Sequence, residues 1–505
     1  MNEAIKSRLG VFVGLGLFVL ILLGPTPDGM NQQTQRTAAV AVLMATWWLT
    51  EAVHMAVTAL LPVALFPLLG ILSAQEVAAP YANHIVFLYI GGFVVAMAME
   101  RCNLHKRLAL QTIRRIGSAP DRLMLGFMVA TAFLSMWISN TATTMMMLPV
   151  ALAVIDQLAT LSEVDGKSDD ATQQQVKKSF SVILLLGIAY SASVGGVGTI
   201  IGTPTNVAFL GYLSQAFPDT PEIGFVDWMM MAVPIVIVFI PIAWIYLCRF
   251  AGDLPLHKIQ FHGSGDVIDS EIKKLGPMRH EEKMVAAVAS TTALLWIFRK
   301  PITVGNFTLP GWSQIFEDSS LLQDSTVAMV MAMLLFLLPS GKEGKRLMDW
   351  ETVQRGLPWG IVFLFGGGFA LADAIAASGL ADWMGLQMAI LEGLPIWILV
   401  PISCLIAVLM TEMTSNIATV MMLSPVIAAT ALQIGVDPYL LLIPAAIMAS
   451  FAFMLPVATP PNAIVFSSGT ITIGRMFRVG SMLDLIALFI VPAMIYWLGG
   501  SLLGQ

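Results

Sequence analysis

A cluster of hydroxyl and amide side chains interrupts apolar sequence between residues 135 and 144. The segment reads Ser-Met-Trp-Ile-Ser-Asn-Thr-Ala-Thr-Thr and lies between Leu134 and Met145. Hydroxyl and amide oxygens suit a small hard cation, and the hydrogens of the same groups suit an anion. One such cluster could equally hold packed helices together, because Ser, Thr and small residues also mediate contacts between membrane helices.

The cluster occurs a second time. Residues 415–426 repeat residues 139–150 with eight of twelve identities at an offset of 276, and a match to residues 85–93 recurs at the same offset. A Thr-Pro element follows each cluster, Gly-Thr-Pro-Thr-Asn at 202–206 and Ala-Thr-Pro-Pro-Asn at 458–462, at an offset of 256. The chain is therefore a duplicated unit, and duplication in register favours a binding site over helix packing.

Composition predicts which class of protein carries these clusters. The 505 residues are 57% hydrophobic and 11% charged, whereas soluble chains are about 45–50% apolar and about 25% charged. This excludes a soluble enzyme, and 26 basic against 32 acidic residues without a basic block exclude a nucleic-acid partner. The apolar runs predict an all-α polytopic membrane protein in the lipid bilayer, with about eleven crossings and two re-entrant hairpins.

Basic residues predict the orientation of the chain. Lys6 and Arg8 precede the first apolar run, Leu9–Gly24, which we interpret as a transmembrane helix rather than a removable signal. Further basic residues concentrate in the stretches 101–122 and 249–283. The positive-inside rule then predicts a multi-pass protein of the cell (inner) membrane with a cytoplasmic N-terminus.

The electrostatics of the clusters predict their ligands. Asn and Pro are expected to break helices within the membrane, which frees carbonyl oxygens suited to Na⁺ and N–H groups suited to a carboxylate. No Lys or Arg occurs in the 119 residues between Arg355 and Arg475. A bound anion must therefore be balanced by dipoles, hydroxyls, amides and co-bound cations. We expect about two or more Na⁺ with each divalent anion, one in each repeat.

Glu412 lies beside the second cluster and has two interpretations. It could stabilise a cation site indirectly, or it could lie at a helix end in water. The sequence contains neither a phosphate-binding loop nor a set of nucleophile, base and acid, so no catalytic residues are predicted. A channel would be expected to show continuous polar faces or charged rings, and none is apparent.

On these paired Ser-Asn motifs and their downstream Thr-Pro elements, the chain resembles the divalent-anion/sodium symporter family over nearly its whole length. The resemblance implies sodium-coupled symport of small di- or tricarboxylates such as succinate, malate and fumarate. It also implies a homodimer, two inverted repeats, and scaffold and transport domains that move as an elevator. Two alternatives stay open: a sodium-independent dicarboxylate exchanger, and a transporter of sulfate or another divalent anion.

The resemblance also implies roles for individual residues. Carried over to this sequence, the sodium ligands are Ser135, Asn140, Gly202, Thr411, Thr414, Asn416 and Ala458. The residues that contact the carboxylates are Ser139, Asn140, Thr141, Thr203, Ser415, Asn416, Thr459 and Pro460. One position departs from the family pattern, because Ile417 stands where a full match would have Thr. Ile417 is therefore expected to influence the choice among anions.

The repeats and the resemblance together predict how the chain is organised. Each repeat is expected to hold one hairpin, one Ser-Asn motif and one Thr-Pro element. The predicted segments are 1–83 (N-terminal scaffold helices), 84–215 (first repeat), 216–355 (scaffold helices and a cytoplasmic loop), 356–470 (second repeat) and 471–505 (C-terminal helix).

Overall fold

The computed structural model describes residues 3–117, 119–159, 162–164, 170–254, 256, 259–261, 264–304, 307–341 and 344–502. In these ranges the chain is almost entirely helical. The strands that they contain are short and form two antiparallel pairs, β1 (Ser162–Val164) with β2 (Ile259–Phe261) and β3 (Ile302–Val304) with β4 (Phe307–Leu309). The predicted all-α class is confirmed.

The helices of the first half carry the first cluster and its Thr-Pro element. In chain order they are α1 (Glu3–Leu23), α2 (Gln32–Thr50), α3 (Met55–Thr58), α4 (Leu61–Leu68), α5 (Ala74–Ala78), α6 (His84–Arg101), α7 (Leu104–Ile116), α8 (Pro120–Ser135), α9 (Asn140–Ala159), α10 (Asp170–Val197), α11 (Pro204–Ala216) and α12 (Phe225–Phe250).

The helices of the second half carry the copied cluster. They are α13 (Ser264–Leu275), α14 (His280–Ile297), α15 (Asp324–Leu337), α16 (Trp350–Gly356), α17 (Trp359–Ala377), α18 (Leu380–Gln387), α19 (Ile396–Thr411), α20 (Asn416–Gln433), α21 (Pro438–Met448), α22 (Pro460–Phe466) and α23 (Ile473–Leu502).

Several helices are suited to a bilayer. By length and composition, six helical segments of the described residues could each cross a membrane: Ala74–Arg101, Gln173–Val197, Phe225–Phe250, Trp359–Ala377, Asn416–Gln433 and Ile473–Leu498. Five shorter apolar helical segments accompany them: Ser7–Leu23, Met55–Leu68, Asp324–Leu337, Ile396–Thr411 and Pro438–Met448. The expected eleven crossings and the re-entrant character of the hairpins stay predictions.

Both clusters lie where one helix ends and the next begins. Four residues, 136–139, join α8 to α9, and four residues, 412–415, join α19 to α20. Downstream, the helical path is interrupted between α10 and α11 and again between α21 and α22. Pro204 and Pro460 begin the helices after these interruptions, a position where proline loses no helical hydrogen bond. We call residues 198–203 the first break and residues 449–459 the second break.

The two repeats pack against each other. Helix α9, which follows the first cluster, contacts α22 of the second repeat. Helix α20, which follows the second cluster, contacts α11 of the first repeat. In each repeat, the helix that begins at the Ser-Asn motif therefore packs against the helix that follows the break of the other repeat. This reciprocal packing brings the duplicated segments together.

Candidate functional site

The first cluster joins the turn after α8 to the first break. The fully buried Ser135 hydroxyl donates to the Ala192 carbonyl oxygen at 2.7 Å, and its Oγ lies 2.6 Å from the amide of Asn140. Because that hydroxyl has one proton, Asn140 is best oriented with Nδ2 toward Ser135. In this orientation Nδ2 also lies 3.2 Å from the Gly202 and Ala192 oxygens. Three of the predicted sodium ligands, Ser135, Asn140 and Gly202, are thus adjacent.

The second cluster repeats this arrangement. The buried Thr411 hydroxyl lies 2.6 Å from the Ala449 carbonyl oxygen and 2.7 Å from the Asn416 amide. Thr411 and Asn416 are therefore related to each other as Ser135 and Asn140 are, and Ala449 takes the place of Ala192. The duplication seen in sequence is a duplication of hydrogen-bond geometry.

Each cluster is rich in oxygen and poor in protons. If the asparagine amide turns its oxygen inward, the first cluster presents the Ser135 hydroxyl, the Asn140 amide oxygen and the Gly202 and Ala192 carbonyls. Uncharged oxygens of this kind are the ligands that a hard cation prefers. The opposite amide orientation closes the same groups by hydrogen bonds. The first cluster therefore offers polar atoms of the kind that either a hydrogen bond or a hard cation could use.

Gly202 is required by close packing of the first break. A Cβ atom there would lie 2.4 Å from the Gly196 oxygen and 2.9 Å from the Ser135 oxygen. Ala458 occupies the corresponding position of the second break and is buried. The Thr414 hydroxyl lies 2.8 Å from that of Thr419 and donates to the Met410 oxygen at 3.0 Å. The sodium-binding roles of Ala458 and Thr414 remain predictions.

The residues predicted to contact carboxylates lie at four helix N-termini. Ser139, Thr203, Ser415 and Thr459 directly precede α9, α11, α20 and α22, and Asn140, Asn416 and Pro460 begin three of these helices. Ser415 and Thr203 make no side-chain cap, so the first N–H groups of α20 and α11 lack a partner of that kind. Helix N-termini favour anions through these N–H groups and the helix dipole.

The accessibility of these residues differs in a consistent way. Ser139, Asn140, Thr141, Ser415 and Asn416 are half-buried, Thr203 and Thr459 are buried, and Pro460 is exposed. Two of the helix starts open on one cavity, which is lined by Ser139, Gly202 and Pro204 together with Trp137 and Gly92. The turn before α9 and the first break therefore border the same space.

Two asparagines that sequence reasoning left out of the site stabilise the breaks. Asn206 donates Nδ2 toward the carbonyl oxygens of Gly196, Val197 and Thr199, at 3.2, 3.2 and 2.8 Å. Asn462 donates to those of Ala452 and Leu455, both at 3.0 Å. These carbonyls have lost helical partners, and a buried amide replaces them. The sequence did contain a signal for this role, because an asparagine occupies both matching positions, 206 and 462, at the 256-residue offset.

The hydrogen bonds around the clusters involve uncharged donors. Among the described residues, the hydrogen bonds of Lys and Arg side chains go to acceptors outside both clusters and both Thr-Pro elements. An anion at the helix N-termini would depend on dipoles and co-bound cations for its neutralisation.

Glu412 is buried, which excludes its interpretation as a helix-end acid in water. Its side chain is 4% exposed. Oε1 accepts from the Met454 N–H at 2.8 Å and Oε2 accepts from the Leu455 N–H at 3.0 Å. Glu412 therefore ties the turn after α19 to the second break, adjacent to Thr411.

The fold and the site define a duplicated, all-helical membrane protein with paired oxygen clusters. The model of the sodium:sulfate symporter transmembrane region matches residues 6–504, and the chain belongs to that family. The chain is 41% identical over 502 residues to the sodium-dependent dicarboxylate transporter SdcS of Staphylococcus saprophyticus, covering 99% of this chain and 93% of that protein. SdcS of Staphylococcus aureus (strain MRSA252) is 41% identical over 500 residues, covering 98% and 92%.

Two solved structures share the fold. The YdaH transporter of Alcanivorax borkumensis superposes with a TM-score of 0.57 at 12% identity and covers 99% of both chains. MtrF of Neisseria gonorrhoeae, from a class of antimetabolite efflux pumps, superposes with a TM-score of 0.54 at 13% identity. That match covers 96% of this chain and 94% of MtrF. At such identities the likeness concerns the fold alone.

Proposed function

We propose that this protein is a sodium-coupled symporter of small dicarboxylates such as succinate, malate and fumarate. The observation that carries the proposal is the pair of matching oxygen clusters, Ser135 with Asn140 and Thr411 with Asn416. Family membership and the sodium-dependent dicarboxylate transporters among its relatives support the same activity. The protein is a transporter rather than an enzyme.

Electrostatics explains why sodium and substrate should bind together. A dicarboxylate carries two negative charges, and no basic side chain pairs with the described cluster residues. One Na⁺ in each cluster would supply two positive charges beside the N-termini of α9 and α20. Charges attract more strongly at a partly buried site than in water, so each ligand should raise the affinity for the other. We infer about two or more Na⁺ for each dicarboxylate.

We further propose that the asparagine amide of each cluster turns its oxygen toward the bound sodium ion. In the hydrogen-bonded form, Asn140 donates to Ser135, Gly202 and Ala192 oxygens. In the cation-bound form, the amide oxygen would face the ion, and Gly202 would contribute its carbonyl. We assign carboxylate contacts to Ser139, Asn140, Thr141, Thr203, Ser415, Asn416, Thr459 and Pro460.

The larger movement and assembly are further parts of the proposal. We infer that the two hairpins and broken helices form a transport domain that moves as an elevator against a scaffold, within a homodimer. The segment boundaries 84–215 and 356–470 delimit the two repeats of this unit. From the distribution of basic residues, we also infer that the protein lies in the cell (inner) membrane with its N-terminus in the cytoplasm.

A transporter of sulfate or another divalent anion is the second candidate, because the family model is named for sodium and sulfate. Tetrahedral sulfate and an extended dicarboxylate place their charges differently, so the residue at position 417 should affect the choice. Ile417 is 7% exposed at the start of α20. Its apolar side chain offers no hydrogen bond to either anion, so it would act on the choice through shape alone.

Uptake of labelled succinate into proteoliposomes tests the proposal. An inward sodium gradient should drive accumulation, whereas an equal potassium gradient should not. Unlabelled succinate should compete more effectively than sulfate. Uptake driven equally by potassium, or requiring internal dicarboxylate instead of sodium, would overturn symport and favour exchange. Preferential competition by sulfate would retain sodium coupling and overturn the dicarboxylate assignment.

A further inference from the structure

A basic cavity lies outside both clusters, where α6 ends and α14 begins. Its volume is about 180 Å³. Since about 10–15 Å³ admits one water molecule, the cavity has room for a hydrated phosphate group. Four basic side chains and one acidic side chain belong to its lining: Arg101, Arg279, Lys345, Arg346 and Glu281. A concave surface with this excess of positive charge attracts anions.

The acids near the cavity do not balance its basic residues. Arg101 pairs with Asp349 at 2.6 Å, and Arg279 pairs with Glu282 at 3.2 Å. Glu282 is shared, because it also pairs with Arg107 at 2.6 Å. Together with the lining, these ion pairs contain five basic residues and three acidic ones. The described surroundings of the cavity therefore keep a net positive charge.

The turn after α15 supplies two of the basic residues in a fixed arrangement. The Ser340 N–H donates to the Lys345 carbonyl oxygen at 3.0 Å, and Nη1 of Arg346 donates to the Leu337 carbonyl oxygen at 2.7 Å. Both basic side chains are exposed, and neither forms an ion pair with an acid in the part of the chain that the structure describes. A guanidinium has five N–H donors, so Arg346 has others for a ligand.

Two helices also begin at the cavity. Asn103 and Arg279 belong to its lining and directly precede α7 and α14. Neither side chain caps its helix, so the first N–H groups of both helices lack a partner of that kind. Helix N-termini favour negative charge and therefore add to the attraction of the basic side chains.

The position of the cavity points to the phosphate group of a lipid. Arg101 ends the segment Ala74–Arg101, which is long and apolar enough to cross a membrane, and Leu337 ends the apolar helix α15. The side chains of Leu337 and Trp350 are 67% and 61% exposed. Exposed aromatic residues beside the ends of membrane helices are typical of the interface, where lipid headgroups lie. Arginine is suited to phosphate because its N–H groups match pairs of phosphate oxygens.

We propose that this cavity binds the phosphate group of an anionic phospholipid through Arg101, Arg279, Lys345 and Arg346. The acyl chains would lie along the exposed apolar end of α15. Basic pockets between membrane helices on the cytoplasmic side are suited to anionic headgroups, and the basic residues of this chain predict that the cavity faces the cytoplasm. The inference is independent of the transported substrate and of sodium.

Lipid binding to the purified full-length protein in detergent tests the inference. Native mass spectrometry would count bound lipids during titration with phosphatidylglycerol or with zwitterionic phosphatidylcholine. Phosphatidylglycerol should bind at least about tenfold more tightly. The double variant Lys345→Gln with Arg346→Gln should weaken phosphatidylglycerol binding about tenfold to thirtyfold, because each basic residue near a headgroup contributes about fivefold.

Two further variants separate a specific site from general attraction. Lys345→Gln alone should weaken phosphatidylglycerol binding about fivefold. The matched control, Lys273→Gln with Lys274→Gln, removes two exposed charges from α13 outside the cavity and should bind as wild type. Equal weakening by the two double variants, or equal binding of the two lipids to wild type, would overturn the site. Inorganic phosphate that displaces phosphatidylglycerol at equal concentration would overturn the lipid as occupant in favour of a free ion.

Discussion

In each repeat a hydrogen bond joins the four-residue turn after α8 or α19 to the following break, through corresponding positions but with different atoms. In the first repeat the Thr199 hydroxyl donates to the Met136 carbonyl oxygen. In the second repeat the corresponding positions are Leu455 and Glu412, and the Leu455 N–H donates to the Glu412 side chain. The donor is a side chain and the acceptor is main chain in the first repeat, whereas the reverse holds in the second. The common feature is therefore the tether itself, which holds each oxygen cluster together.

A second exchange distinguishes the two helix starts. Ile138 and Thr141 of the first repeat correspond to Thr414 and Ile417 of the second. The Thr414 hydroxyl bonds to Thr419, whereas the buried Thr143 hydroxyl at the matching position of the first repeat has no partner among the described groups. The repeats thus share their oxygen clusters and differ in the polar groups around them.

The largest expected effect comes from removing the shared asparagines. Asn140→Ala and Asn416→Ala should each lower sodium-dependent succinate uptake at least about a hundredfold, because each removes a proposed cation ligand and leaves buried oxygens unsatisfied. Asn31→Ala, which removes a helix cap outside both repeats, is the control and should retain uptake. Loss in only one of the two cluster variants would contradict the functional equivalence of the clusters.

A smaller asymmetric effect is expected at the breaks. Gly202→Ala should lower uptake about tenfold, because its Cβ would collide with the Gly196 main-chain oxygen. The reciprocal variant Ala458→Gly should stay within about threefold of wild type, since it removes one methyl group and introduces no collision. Initial uptake rates at saturating sodium measure both effects. Equal losses would show that the two breaks are packed alike, which would contradict the difference between Gly202 and Ala458.

Substrate choice should respond to the exchanged residue at the start of α20. Ile417→Thr adds a hydroxyl where the second repeat lacks one and should change the ratio of succinate to citrate or sulfate uptake about tenfold. Competition of each anion against labelled succinate provides the measurement. Met413→Thr, at an exposed residue of the same turn, is the control. A substrate profile unchanged by Ile417→Thr would remove position 417 from the selectivity argument.

The smallest expected effect concerns stability rather than transport. Thr143→Val should be neutral or stabilising, since the buried hydroxyl it removes has no partner in the described chain. Thr419→Val should lower the free energy of unfolding by about 1 kcal/mol, because it breaks the bond to Thr414. Thermal unfolding of the purified protein in detergent compares the two. A larger loss for Thr143→Val would reverse the predicted order.

Sequence reasoning was most effective where the duplication preserved residue types. The matching offsets located Asn140, Asn416 and both breaks, because helix interruptions depend on local Asn and Pro chemistry. The tether between Thr199 and Met136 could not be predicted, since one partner is a main-chain carbonyl and the second repeat has Leu455 in place of Thr199.

The central claim, two equivalent cation sites that neutralise one divalent anion, is tested most directly by coupled flux. Radioactive sodium and labelled succinate would be measured in the same proteoliposomes under an inward sodium gradient. The account predicts about two or more sodium ions for each succinate. A ratio of one or less in the wild-type protein would contradict a sodium ion at each of the two clusters.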